Sequence, residues 1–179
     1  MKNTNRIGIG FIGGGFITRF HIKSLIGVRD CDVIGVMSKT RSSAEESCAI
    51  SKALGVGEAK PYNSVTDMVS DPAINALWIC APNFTRLEIM EEIVNAIESG
   101  KGELIGIACE KPLGRNVKEA KQMLALAKKV DLLDGYLENQ VFAPSVTKGK
   151  EIIWERGAST TGRPYLARAS EEHSGPHMP

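Results

Sequence analysis

Ile7-Gly8-Ile9-Gly10-Phe11-Ile12-Gly13-Gly14-Gly15-Phe16-Ile17-Thr18 runs from an apolar segment straight into three consecutive glycines. The apolar part suits a buried β-strand, and the glycines suit a tight turn into a helix. Such a turn gathers several backbone amides at one point, and the helix dipole adds positive potential there. A pyrophosphate binds well in that position, provided no side chain blocks its approach. Gly13 and Gly15 supply the first two glycines of a GxGxxG pattern, with Phe16 and Ile17 following. Thr18 stands where the third glycine normally allows close helix–strand packing, which loosens the motif. The competing reading is a glycine-rich turn without a ligand.

Further apolar runs recur at 32–37, 75–81, 104–109 and 132–137, separated by helix-periodic sequence. Ala76-Leu77-Trp78-Ile79-Cys80-Ala81 and Leu104-Ile105-Gly106-Ile107-Ala108 do not alternate with polar residues, as expected of parallel strands covered on both faces. Between them, Ile89, Met90, Ile93, Val94 and Ile97 form one helical stripe, with Glu91, Glu92, Asn95 and Glu98 opposite. Ser43-Ala44-Glu45-Glu46 and Thr85-Arg86-Leu87-Glu88 fit capping boxes, and Asn116 can cap a helix over 117–130 with Ala120, Met123, Leu124 and Ala127 inward. This alternation predicts an α/β fold, a doubly wound parallel sheet of the Rossmann type, over residues 1–137. Residues 138–179 read differently: a helix over 144–156, a loop over 157–164, and a strand over 165–170. That segment is expected to be a linker helix and the first strand of a second α/β domain.

Composition narrows the function. The 179 residues are 42% hydrophobic and 24% charged, and 22 basic against 21 acidic residues leave a net charge of +1. Nothing there points to nucleic acid or an anionic membrane surface. No apolar run reaches the roughly 18 residues needed to span a bilayer. Cys31, Cys48, Cys80 and Cys109 show no metal-binding spacing, so no metal is expected; buried free thiols fit a reducing cytoplasm.

The end of the second strand should meet the adenosine ribose. NAD sites usually place an acidic residue there, about 20 residues beyond the loop. Met37-Ser38-Lys39-Thr40-Arg41 has none. Two cations and two hydroxyls suit a 2′-phosphate, so Ser38, Lys39 and Arg41 point to NADP(H), with NAD as the alternative. A solvated loop with incidental charge is the plainer reading of the same residues.

Two later strand ends carry further signals: Ala81-Pro82-Asn83-Phe84-Thr85-Arg86 and Cys109-Glu110-Lys111-Pro112. Ligands in such sheets sit outside the carboxyl ends of the strands. Read alone, Glu110-Lys111 is a surface salt-bridging pair. Together with Gly10-Phe11-Ile12-Gly13-Gly14-Gly15, His21 and Asp71-Pro72, these segments resemble the Gfo/Idh/MocA family of oxidoreductases over about residues 6–145. The resemblance implies an NAD(P)-dependent dehydrogenase acting on a sugar or polyol. Gly13 and Gly15 would cradle the pyrophosphate. Ser38 and Arg41 would lie near the adenosine ribose. Ala81, Pro82, Asn83, Arg86 and Asn139 would border the nicotinamide side, with Glu110 and Lys111 beside nicotinamide and substrate. Lys111 matches the family's catalytic lysine, whose ammonium can hydrogen-bond the reacting oxygen.

The chain departs from the family in three places. Arg86 stands where family members often have histidine, Val141 replaces a common arginine, and the stretch from Gly100 to Glu110 is slightly long. The family's further catalytic histidine belongs to a C-terminal domain that often also carries the oligomer interface. That domain is expected only to begin here, so the chain by itself is expected to be inactive, or to serve as a non-catalytic NAD(P)-binding or redox-sensing module. His21 is expected to be a packed structural histidine, and His173 and His177 to lie in a disordered tail.

Overall fold

A computed structural model of the protein describes residues 6–170, and the chain divides into two compact units, Met1–Leu137 and Glu138–Pro179. In the first unit the glycine turn separates β1 (Ile7–Ile12) from α1 (Phe16–Ser24). There follow β2 (Cys31–Met37), α2 (Arg41–Ala53), β3 (Lys60–Tyr62), α3 (Val65–Ser70), β4 (Ala76–Ile79), α4 (Arg86–Glu98), β5 (Gly106–Glu110), α5 (Val117–Lys129) and β6 (Leu133–Leu137). The six strands form one sheet in the order β3-β2-β1-β4-β5-β6, with every pairing parallel. The expected doubly wound sheet is therefore present.

Two apolar clusters flank the sheet. Phe11, Val33 and Val36 pack with Ile22 of α1 and with Ala44 and Cys48 of α2. Leu77, Ile79 and Ile107 pack with Met68, Met90, Ile93 and Met123 from α3, α4 and α5. Burial on both faces explains why β1, β4 and β5 read as continuous apolar runs. The α4 stripe is buried at Met90, Ile93 and Val94, whereas Leu124 of α5 stays 40% exposed.

β3 and α3 were not expected from the apolar pattern. β3 is three residues long, includes Pro61, and lies at the sheet edge, where a missing amide costs no ladder bond. It is held from the loop before β4. Asp71 Oδ2 accepts from Lys60 Nζ at 2.8 Å and from the Tyr62 hydroxyl at 2.6 Å, and Oδ1 accepts from the Ala73 amide at 2.8 Å. Lys60 and then Tyr62 hold the Asp71 carboxyl at about 2, below its ordinary 3.8. Because the folded value is depressed, this stabilisation is full above pH ~4 and is lost as pH falls from ~4 to ~2. Asp71→Asn should cost about 1–2 kcal/mol at neutral pH, and nothing near pH 2, in urea unfolding.

The helix caps divide. Asn116 Oδ1 accepts from the Glu119 amide at 3.0 Å, as expected. α2 instead begins at Arg41 with Thr40 as N-cap, so Ser43 lies inside the helix. Thr85 is the N-cap of α4, but its hydroxyl donates back to the Pro82 carbonyl at 2.8 Å rather than capping the helix.

In the second unit Asn139–Phe142 is a 3-10 turn, and Pro144–Lys150 is α6. α6 runs through a π-helical stretch, Glu151–Gly157, into α7 (Ala158–Thr161). The helix therefore runs past the predicted boundary at 156, into the segment read as a loop. The expected strand at 165–170 is absent; residues 162–170 have no regular structure. An isolated extended segment gains no ladder bonds, and no strand pairs with it among the described residues. His173 and His177 lie outside the described residues. Among those residues no helix is long and apolar enough to cross a membrane.

Candidate functional site: the carboxyl end of the sheet

The strand order reverses direction between β1 and β4, so the crevice outside their carboxyl ends is where a ligand is expected in this topology. The glycine turn sits at its floor. Gly13 adopts φ +108°, and its amide donates to the Met37 carbonyl at 2.7 Å. A Cβ on Gly13 would lie 2.8 Å from the Ala81 nitrogen and 2.9 Å from the Cys80 carbonyl carbon. One on Gly14 would lie 2.8 Å from the Ser43 carbonyl group of α2. Gly15 differs, because a Cβ there would meet nothing within 4 Å. Packing requires the first two glycines, whereas the third leaves open space in front of α1.

All three carbonyls of the turn are engaged. Gly13 O accepts from Thr18 Oγ1 at 2.6 Å, Gly14 O from Ser47 Oγ at 3.1 Å, and Gly15 O from the Arg19 amide at 3.2 Å. Thr18, in the place of the third glycine, is fully buried and ties the turn instead of loosening it. The first amides of α1 have no carbonyl one turn back, and Gly15 has no side chain to cap them. Donors are thus presented without competing acceptors, beside an open space the size of a missing side chain. A pyrophosphate fits that arrangement. Phe16 is 81% exposed beside it, and Ile17 is half-buried.

At the end of β2, Ser38 is half-buried and Lys39 exposed. Arg41 is not idle: Nε donates to Glu45 Oε1 at 3.0 Å and Nη1 to Asn63 Oδ1 at 2.8 Å. Sequence spacing concealed this competition, since Asn63 comes from the loop after β3.

The ends of β4 and β5 are cross-linked. Arg86, expected to face the cofactor, is turned inward and buried. Its Nε donates to the Ala81 carbonyl at 2.8 Å, and Nη1 donates to the carbonyls of Glu110 and Pro112. Glu110 is buried as well and is not a surface partner of Lys111. Its Oε1 lies 2.6 Å from His21 Nε2, and its Oε2 accepts from the Lys111 amide at 3.0 Å. His21 is the packed histidine the sequence suggested, edge-on to Trp78 at 5.1 Å and 87°. Lys111 is exposed, as is Pro82, and Asn83, next to Pro82 in the chain, is half-buried. Asn139 is exposed in the second unit. The four cysteines are unpaired, and burial pushes the Cys80 thiol up to about 12 and Cys109 up to about 11. Neither is a thiolate at neutral pH. Among the described residues no cluster of side chains could hold a metal ion.

Known proteins carry the same frame. The chain is 29% identical over 159 residues to 1,5-anhydro-D-fructose reductase of Ensifer adhaerens, covering 89% of this chain and 43% of the relative. It is 27% identical over 168 residues to myo-inositol 2-dehydrogenase of Thermotoga maritima, covering 94% and 46%. The chain thus spans less than half the length of these relatives. Its fold matches that of the Lactobacillus casei scyllo-inositol dehydrogenase solved with NAD(H) and scyllo-inositol, with a TM-score of 0.66 at 21% identity over 84% of this chain and 41% of the other. GenD2 from gentamicin A biosynthesis, solved with NAD, gives a TM-score of 0.71 at 21% identity over 86% and 40%. Residues 7–133 match the model of the oxidoreductase family with an NAD-binding Rossmann fold. With that match extending from β1 into β6, the chain belongs to the Gfo/Idh/MocA oxidoreductase family.

Proposed function

We propose that this chain is the dinucleotide-binding part of a sugar or polyol oxidoreductase that prefers NADP(H) to NAD(H). The observation that carries the reading is the glycine turn, whose carbonyls are tied inward while the helix amides face open space at Gly15. In this reading the amides at the start of α1 hold the pyrophosphate. Ser38, Lys39 and Arg41 take the adenosine side, and Ala81, Pro82 and Asn83 take the nicotinamide side. The cofactor, when bound, supplies the hydride acceptor or donor. Lys111 hydrogen-bonds the reacting oxygen and moves the proton that an alcohol loses on oxidation. Glu110 orients Lys111 through its backbone amide. Names of relatives acting on inositols and an anhydro sugar support the substrate class. The unpaired thiols fit a reducing cytoplasm. A second domain beginning after Leu137, and assembly into a homo-oligomer, belong to the same proposal.

NADP(H) preference rests on the β2 end, which has no carboxylate among Ser38, Lys39, Thr40 and Arg41. Glu45 engages Arg41 in an ion pair more than half exposed on both sides, the kind worth under about 1 kcal/mol, so a phosphate can replace it. Titration by nicotinamide fluorescence should show NADPH binding about tenfold more tightly than NADH, and Arg41→Ala should remove the difference. NADH preference would sink the 2′-phosphate assignment. Binding of either dinucleotide without turnover of any inositol or sugar, even by a longer chain that carries a second domain, would favour a binding module without catalysis.

A further inference from the structure

We propose that Arg86 is a positioning residue for the nicotinamide half of the cleft, acting by bracing the carboxyl ends of β4 and β5 against each other. This rests on the dinucleotide-binding reading above. Arg86 opens α4 and is only 5% exposed. Its donors reach carbonyls on both strand ends: Ala81 after β4, then Glu110 and Pro112 around the end of β5, with Lys111 O at 3.5 Å at the limit of a bond. These partners are all main-chain carbonyls. A buried guanidinium is costly unless its donors are satisfied. Here the satisfaction comes entirely from the backbone of the two segments that flank the nicotinamide side. The charge therefore sets where those segments lie.

The same turn is held from its other side. The Glu110 side chain is gripped by His21, which rides on α1 directly behind the glycine turn, while Arg86 grips the Glu110 backbone from α4. Lys111 is left as the exposed side chain of a turn whose neighbours are fixed. Brace and catalytic lysine are thus distinct roles on adjacent groups. A lysine at 86 could not reproduce this, because a single ammonium lacks the planar fork that reaches two strand ends at once.

The full chain carries the test. Binding of NADH and NADPH is compared with binding of ADP-ribose and its 2′-phosphate, which lack the nicotinamide. Arg86→Ala should weaken the better dinucleotide about tenfold, while the matching ADP-ribose ligand stays within about twofold. Methylguanidinium should restore dinucleotide binding, and Arg86→Lys should behave like the alanine variant. Equal weakening of both ligand types would overturn the proposal, because it would mark a general loss of structure. No change in either would overturn it as well. If Arg86→Ala does not fold, Arg86→Lys carries the same comparison. Failure of the unaltered chain to bind any of the four ligands would instead reject the dinucleotide reading itself.

Discussion

Gly15→Val should reduce dinucleotide affinity by about 100-fold or more while leaving the fold intact. The backbone at Gly15, φ −83° and ψ −167°, is extended and open to any residue, and a Cβ there touches nothing within 4 Å. Its cost in stability is therefore small, about 1 kcal/mol at most for a poor N-cap. The new methyl groups would fill the space through which a phosphate must approach the amides that open α1. Two charge-assisted hydrogen bonds lost at about 1.5–3 kcal/mol each give at least the stated factor. Calorimetric titration with NADPH, alongside urea unfolding that shows a loss of no more than about 1 kcal/mol, checks both halves. Retained affinity would mean that the pyrophosphate does not sit at this turn.

Gly13→Val, two residues away, should do the opposite and destabilise the fold by about 3 kcal/mol or more. φ of +108° is strained for any side chain, and the Cβ would press on backbone at Ala81 and Cys80 at 2.8–2.9 Å. Backbone cannot turn aside as a flexible side chain can. The turn would have to leave β4, breaking the bond from the Cys80 amide to the Ile12 carbonyl, now 2.8 Å. Urea unfolding measures the loss. A Gly13→Val protein as stable as its parent would refute the tight seat of the turn against β4. The glycines of one motif thus divide between tight packing and open space, a division that no spacing rule contains.

The order of strands and helices was largely legible because each buried strand must be apolar on both faces and each covering helix on one. β3 and α3 escaped because Lys60-Pro61-Tyr62 is short and at an edge, stabilised by Asp71 rather than by apolar periodicity. The strand expected at 165–170 failed for a related reason: alternation describes a face, and a face forms a strand only with a partner to pair with. At the site, the glycine turn and Lys111 were readable as motifs. The inward roles of Arg86 and Glu110 were not, since their partners lie 24 and 26 residues away for Arg86, and 89 for the contact between Glu110 and His21.

By itself, then, the order of residues determined the fold class, the position of the glycine turn and the family resemblance. All three depend on local rules: burial periodicity, glycine at a strand-to-helix turn, and short motifs at strand ends. Tertiary structure alone decided which groups face the open crevice and which hold the frame. It turned Thr18, Arg86 and Glu110 inward, occupied Arg41 with Glu45 and Asn63, and left Gly15 and Lys111 facing out. The physical reason is that a polar group's role is set by which partners satisfy it. Once the chain is folded, those partners come from segments far apart in sequence.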